Sequence, residues 1–260
     1  MQLFSGAADI RIPLGLGCSD LQLGLEKNVS RRILFEALDA GIQYFDTSPR
    51  YNLSERFLGQ FLPKSPSIIL ATKVGLDPII ETLPRLIADQ LKVRAKSLVQ
   101  KRPRLREISS DPASPTEIYP KKLLENSIQN SMKNLKTDSL DLLLVHEPER
   151  LINLQEVIGW IDAYIEKGIV RRSGLAVHRP GSNLTQQPLP DNLIWQFPWR
   201  LRKTFAEHQY SQHIVFGAAS MLYEKCPVKQ LEVVRKRSAK RLILIKTRNI
   251  KHLQWIRKLT

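Results

Sequence analysis

A chain of 260 residues is long enough for one large core or two small domains, and 42% hydrophobic with 25% charged residues is the balance of a globular protein. No apolar run reaches the roughly 20 residues of a membrane-spanning helix, so no membrane partner is expected. The net charge of +15 invites an anionic partner, but the basic clusters, such as Lys92 to Arg106 and Arg235 to Arg241, are spread along the chain without interleaved stacking aromatics; that disfavours nucleic acid and leaves solvated faces or a phosphorylated small molecule.

Met1 to Gly6 lacks the basic-then-apolar pattern of a signal peptide. Arg11 to Ser19 reads as a short strand running into a tight turn, in which Gly15 and Gly17 let backbone approach closely. Cys18 in that turn and Cys226 are too few and too far apart for a disulfide framework, so a reduced, cytoplasmic protein is expected. Ser30 is placed to cap a helix over Arg31 to Ala40, with Ile33, Leu34, Ala37 and Leu38 on its apolar face and Gly41 as its stop. The strand Ile42 to Phe45 ends on Asp46, and the loop after it carries Pro49 and Tyr51. Ser54 and Glu55 then open a helix reaching Phe61.

The strand Ile68 to Thr72 ends on Lys73. From about 75 to 115 the pattern loosens into five prolines and a basic run, an insertion placed to overhang the end of that strand. Leu123, Leu124, Ile128, Met132 and Leu135 form a helical stripe, and the strand Leu140 to His146 follows. Leu154, Val157, Ile158, Ile161 and Tyr164 form the next stripe, stopped by Gly168. Four more strands follow, over Ile169 to Val177, Leu193 to Phe197, Ile214 to Phe216 and Leu242 to Ile245, and a last helix over Ile250 to Lys258.

Eight short strands alternating with helical stretches predict a single domain over residues 1–260, an α/β fold with a parallel (β/α)8 barrel carrying the insertion at about 75–115. An open doubly wound sheet is the alternative, but the chain lacks its glycine-rich first turn. In a parallel barrel the carboxyl ends of the strands line one mouth, which gathers Asp46, Lys73 and His146 beneath Tyr51. That set suits carbonyl reduction. Tyr51 serves as general acid and base, and a Lys73 ammonium lowers its pKa from the ordinary value of about 10. Asp46 anchors the lysine, and His146 orients the carbonyl oxygen. Taken singly, each has a plainer role: Asp46 as a turn cap, Tyr51 as rim packing, Lys73 as a solvated charge, His146 as a structural residue. Glu147 beside His146 raises a metal pair, although adjacent residues at a strand end are poorly aimed at one ion.

The segment Ala40 to Gly59, A-G-I-Q-Y-F-D-T-S-P-R-Y-N-L-S-E-R-F-L-G, resembles the aldo-keto reductase signature. The similarity runs from Leu14 to about Leu253 and is weakest between Gly75 and Pro115 and after Arg179. The resemblance implies that Asp46, Tyr51, Lys73 and His146 are the family's catalytic tetrad. It puts Gly17 and Cys18 under a nicotinamide, Gln196 on its carboxamide, and Phe216 or Gly217 at the ring-stacking position. Lys246 and Thr247 match the residues that bind an adenosine 2′-phosphate, with His252 where many members have arginine, which implies NADP(H) in preference to NAD(H). Ala176 stands where the family has a hydrogen-bonding serine. The family's C-terminal loop is not recognised after the last helix, so substrate selection is expected to rest on the insertion, the Trp195 to Trp199 region and partner subunits. The implied activity is reduction of an aldehyde or ketone, including sugar-like ones, or oxidation of the alcohol. A nucleotide-binding redox sensor with little turnover on the same barrel stays open beside it, as does a basic barrel binding a polyanion.

Overall fold

Strands with small or branched residues on both faces suit a parallel sheet covered by helices, and here they close on themselves. The computed structural model describes residues 14–21, 23, 27–51, 53–76, 115–185, 188–205, 213–217 and 241–257. Within them run strands β1 (Leu14–Gly17), β2 (Tyr44–Asp46), β3 (Ile69–Val74), β4 (Leu142–His146), β5 (Ser173–Ala176), β6 (Ile194–Pro198), β7 (His213–Phe216) and β8 (Arg241–Ile245). Each pairs in parallel with the next, and β8 pairs with β1, giving the closed barrel expected from the alternation. Around it lie helices α1 (Lys27–Asp39), α2 (Ser54–Phe61), α3 (Lys121–Leu135), α4 (Leu154–Glu166), α5 (Ser182–Thr185) and α6 (Ile250–Arg257). Among the described residues, no helix is long and apolar enough to cross a membrane.

The period-2 alternation of each strand sorts its side chains into two cores. Phe45, Leu143, Val145, Leu175, Trp195 and Ile243 face outward into the larger core under the helices. Tyr44, Ala71, Leu142, Leu144, Ile194 and Leu242 belong to a separate cluster that fills the barrel. Counting onward by twos from the interior residues leads to Asp46 and His146 at the ends of their strands, Lys73 one residue before the end of β3, Gln196 within β6 and Lys246 just past β8. The parity that buries the barrel interior therefore also aims these polar groups into its mouth.

Two elements differ from expectation. Ser30 lies inside α1 rather than at its start, is 2% exposed, and the helix begins at Lys27. The added turn is held by packing: the Lys27 ammonium and the Arg31 guanidinium lie 5.2 and 5.1 Å from the ring centre of Phe61 on α2. Strand β5 is shorter than Ile169 to Val177. Val170 keeps only an isolated bridge to Leu140, and Arg171 turns outward to pair with Asp141 at 3.1 Å, so a buried ladder cannot run through that point. Most of the proline-rich insertion, residues 77–114, lies outside the described residues.

Helix glycines give a test of packing. A Cβ on Gly59 of α2 would stand 2.1 Å from the Asn134 carbonyl oxygen of α3, whereas one on Gly159 of α4 would meet nothing within 4 Å. Gly159→Ala is expected to stabilise the fold by about 1 kcal/mol through helix propensity. Gly59→Ala is expected to destabilise it by about 1–3 kcal/mol through forced separation of α2 and α3. Urea unfolding midpoints read both, and equal effects would contradict the helix contact.

Candidate active site

Asp46 and Lys73 are 4% and 2% exposed, deep enough that neither charge is tolerable alone. The Lys73 Nζ donates to Asp46 Oδ2 at 2.7 Å and to the Thr47 carbonyl oxygen at 2.8 Å. The other carboxylate oxygen, Oδ1, accepts from Gln196 Nε2 at 2.9 Å, across the barrel from β6. The Lys73 Nζ also lies 5.0 Å from the centre of the Tyr51 ring. Asp46, Tyr51, Lys73 and Gln196 thus form one connected group.

Tyr51 comes from a loop, and loops hold position only through ties. The Thr47 N–H donates to the Ala71 carbonyl oxygen at 2.8 Å, the Tyr51 N–H to the Ser48 carbonyl oxygen at 2.9 Å, and the Ser54 N–H to the Tyr51 carbonyl oxygen at 3.0 Å. The Thr47 hydroxyl donates to Ser54 Oγ at 2.9 Å, and Ser54 donates onward to the Cys18 carbonyl oxygen at 2.8 Å. Glu55, 2% exposed, accepts from Thr72 Oγ1 at 2.7 Å and from Asn134 Nδ2 at 3.2 Å. The residues Thr47, Ser54 and Glu55 therefore clamp the loop to β1, β3 and α3. Sequence reasoning read Ser54 and Glu55 only as a helix start; their polarity before an apolar stripe was the signal of a buried tie.

Burial dominates the electrostatics. It pushes the Tyr51 pKa up, the Lys73 ammonium pulls it down, Asp46 pushes it up again, and the net shift is upward. The lowering expected from Lys73 is present but outweighed. Burial would lower the Lys73 pKa, but Asp46 and Tyr51 more than offset this and raise it, so the ammonium persists. His146 is driven well below the ordinary imidazole value by burial, with Lys73, His178 and Arg50 adding to the effect. Its ring meets Tyr51 edge-on at 6.1 Å between centroids.

A cavity of about 300 Å³ opens over this group. Asp46, Tyr51, Lys73 and Gln196 supply polar lining, and Gly17, Phe216, Gly217 and Leu244 line it as well. His178 also lines it, with its ring centre 5.6 Å from His146 and 5.4 Å from Phe216. His146 is not among the lining residues; His178 stands before it. Cys18 is not among them either: it is fully buried, its Sγ points to the Leu16 carbonyl oxygen at 3.4 Å, and burial raises its pKa. Lys246 lines the far side and pairs with Asp20 at 3.0 Å. Thr247 and His252 meet at the start of α6, with Thr247 Oγ1 2.8 Å from His252 Nδ1, and Asn249 Oδ1 accepts the Lys251 N–H at 3.0 Å as the helix cap.

Two acidic residues that the sequence reading did not single out shape this site, Asp20 and Glu149. Glu149 is 1% exposed. Its Oε1 accepts the backbone N–H groups of His178 and Arg179, both at 3.2 Å, and so holds the segment that carries His178. Burial pushes its carboxyl up to about 7 against the pull of backbone N–H donors, with Glu147 adding to the push.

A family model described as the Aldo/keto reductase family matches residues 13–182. An uncharacterized oxidoreductase of Bacillus subtilis strain 168, YqkF, is 27% identical over 218 residues, covering 79% of this chain and 61% of the relative. The D-threo-aldose 1-dehydrogenase of a Pseudomonas species is 31% identical over 159 residues, covering 56% of this chain and 43% of the relative. The chain thus spans less than two thirds of the length of either relative. The holo form of an aldo-keto reductase from Bacillus halodurans matches with a TM-score of 0.62 at 19% identity, over 95% of this chain and 85% of that one. An aldo-keto reductase of Klebsiella pneumoniae in complex with NADPH matches with a TM-score of 0.60 at 14% identity, over 95% and 84%. At these identities the structural likeness carries the fold alone.

Glu149 makes the burial measurable. Its ordinary value is 4.5 and its folded value about 7, so the folded chain holds more protons in that window and stability falls as pH rises through it. At about 1.36 kcal/mol per unit, the loss is on the order of 3 kcal/mol. The stability of Glu149→Gln relative to wild type is therefore expected to improve by that order between about pH 4.5 and about pH 7.5. Urea denaturation at both ends checks this; a pH-independent difference would contradict the assignment.

Proposed function

Because the chain belongs to the aldo-keto reductase family, we propose that it moves hydride between a nicotinamide cofactor and a small carbonyl compound, with Tyr51 as proton donor. The observation that carries this reading is the buried Lys73–Asp46 pair set against Tyr51 on the wall of the cavity. The residues present suit the cofactor: Phe216 and Leu244 offer an apolar wall for a ring, Gln196 an amide partner, and Lys246 with Thr247 an anion site at the start of α6. When bound, the nicotinamide supplies the hydride that reaches the carbonyl carbon.

The chain's own residues handle the oxygen. Tyr51 gives its hydroxyl proton to the carbonyl oxygen as negative charge develops there. The Lys73 ammonium stabilises the phenolate left behind, and Asp46 holds Lys73 in place. Gln196 completes the shell of Asp46. As placed, Gln196 spends an N–H on that task, so it turns its amide when it meets a carboxamide. His146 is neutral near pH 7 and orients the carbonyl from behind the Tyr51 ring edge. His178 narrows the approach in front of it. The substrate class we favour is sugar-like, in line with the aldose dehydrogenase among the relatives. The preferred cofactor in this reading is NADP(H), with Lys246 as the 2′-phosphate ligand.

A second reading, a nucleotide-binding protein with little turnover, draws on a specific pattern. Gln196 engages Asp46, Lys246 engages Asp20, and Thr247 engages His252, so the cofactor-side groups are already partnered within the chain. Tight nucleotide binding, read by tryptophan quenching, with no turnover on any carbonyl would favour it.

NADPH and NADH oxidation against a carbonyl panel is the first assay. Turnover is expected to collapse by about 10²-fold or more in Tyr51→Phe; full activity in that variant would remove the proposed donor. Because the Tyr51 pKa is raised, its proton stays in place across neutral pH. The reduction rate is therefore expected to be flat between about pH 6 and 9, while alcohol oxidation, which needs the phenolate, rises with pH.

The Lys246 assignment has its own test. Lys246→Glu is expected to weaken NADPH far more than NADH, and equal effects would overturn the assignment. Asp20→Asn, which frees a half-exposed lysine from a surface pair of about 0.5–1 kcal/mol, is expected to tighten NADPH by about two- to fivefold. Equilibrium titration with each nucleotide reads both variants.

A further inference from the structure

Three metal-type donors converge at the mouth of the barrel, one of them the tetrad residue His146. Ligand atoms of His146, Glu147 and His178 lie within 4.8 Å of one another. Adjacent residues at a strand end ordinarily point to opposite sides, which is why His146 and Glu147 look unpromising as a pair in the sequence. Glu147, however, has φ +51, a left-handed conformation that redirects the chain as β4 ends. The third donor arrives from the neighbouring strand. Ala176 pairs in register with His146, and His178 stands two residues further on, with the same inward parity.

A second observation points to a ligand independently. His146 is 5% exposed, and its Nδ1 is buried with no hydrogen-bond partner. A buried nitrogen of this kind is rare without a partner, and a metal ion is one that supplies the missing contact. The carboxylate is prepared as well. Arg150 Nη1 donates to Glu147 Oε2 at 2.9 Å and is itself paired with Glu117, an outer shell of the sort that orients a ligating carboxylate.

We propose that His146, Glu147 and His178 form a binding site for a divalent transition metal of the zinc type. Two imidazoles and one carboxylate are a donor set for such an ion, with a fourth position left for water. Metal–ligand bonds of about 2.0–2.2 Å put neighbouring tetrahedral donors roughly 3.4 Å apart, so from the 4.8 Å bound each pair closes by up to about 1.4 Å. Lys73 and Arg50 act on His146 through space, and Lys73 and Arg200 on His178, and these cations oppose the ion.

The site does not rest on the reductase reading, since metal binding is measured without turnover. The test is isothermal titration of the full chain with Zn(II) near neutral pH, with Co(II) absorption as the spectroscopic probe of ligand type. One ion per chain with micromolar affinity is expected, with nitrogen–oxygen rather than thiolate spectra. Glu147→Gln and His178→Phe are each expected to weaken it by more than about 10-fold, and Arg150→Ala by about 10-fold through the outer shell. His252→Ala and Cys226→Ser are expected to leave it unchanged. Absence of saturable binding below about millimolar metal, or binding that survives both Glu147→Gln and His178→Phe, overturns the proposal. If His178→Phe fails to fold, Glu147→Gln decides alone, because its side chain is part-exposed and its loss leaves the barrel intact.

Discussion

An ammonium and a carboxylate sealed together at the mouth of a barrel constrain most of what surrounds them. The Lys73–Asp46 pair is nearly inaccessible to water, and two buried charges are tolerated only when their remaining hydrogen-bonding capacity is met. Lys73 meets part of its own through the Thr47 carbonyl oxygen, and Asp46 through Gln196 from the far side of the barrel. The pair thereby joins β2, β3 and β6 with the loop that follows β2. Removing a partner from such a group leaves an uncompensated buried charge, a larger loss than the strength of any single contact.

Around the pair, burial favours uncharged forms. Tyr51 and Glu149 are pushed up, His146 and His178 are pushed down, and the Lys73–Asp46 ion pair is buried amid these groups. In a cavity of this kind electrostatic interactions are weakly screened, which is the condition under which a placed proton donor acts on a developing negative charge. The loop that carries Tyr51, the proposed donor, is held by Thr47, Ser54 and Glu55. None of the three touches the cavity, yet each limits where the phenol can be.

Toward the cofactor side the groups are partnered differently. Lys246 pairs with Asp20 and Thr247 with His252, contacts that the phosphate of the proposed cofactor would have to displace. His178, which stands between His146 and the cavity, has no counterpart in the set of residues expected from the resemblance. These local departures, together with Ala176, give the mouth of this barrel a more histidine-rich character than its signature segment implies.

The amino-acid sequence by itself determined the barrel and the inward-facing ends of its strands. Alternation with period 2 sets the face of every strand residue, so an interior Leu142 or Leu144 implies an inward His146, and an interior Ala71 an inward Lys73. Local signals read less well where burial overrode them. Ser30 has the chemistry of a cap but lies within α1, because Lys27 and Arg31 pack on Phe61 from another helix. Tertiary structure alone decided the rest. The bond from Gln196 to Asp46 spans 150 residues, and no local pattern encodes it. The convergence of Glu147 with His146 and His178 depends on one left-handed backbone angle and on the register of β4 with β5. The raised pKa of Glu149 depends on how completely the folded chain keeps water from it. Periodicity is a property of neighbours along the chain and is written in the sequence; desolvation and convergence are properties of neighbours in space and exist only once the barrel has closed.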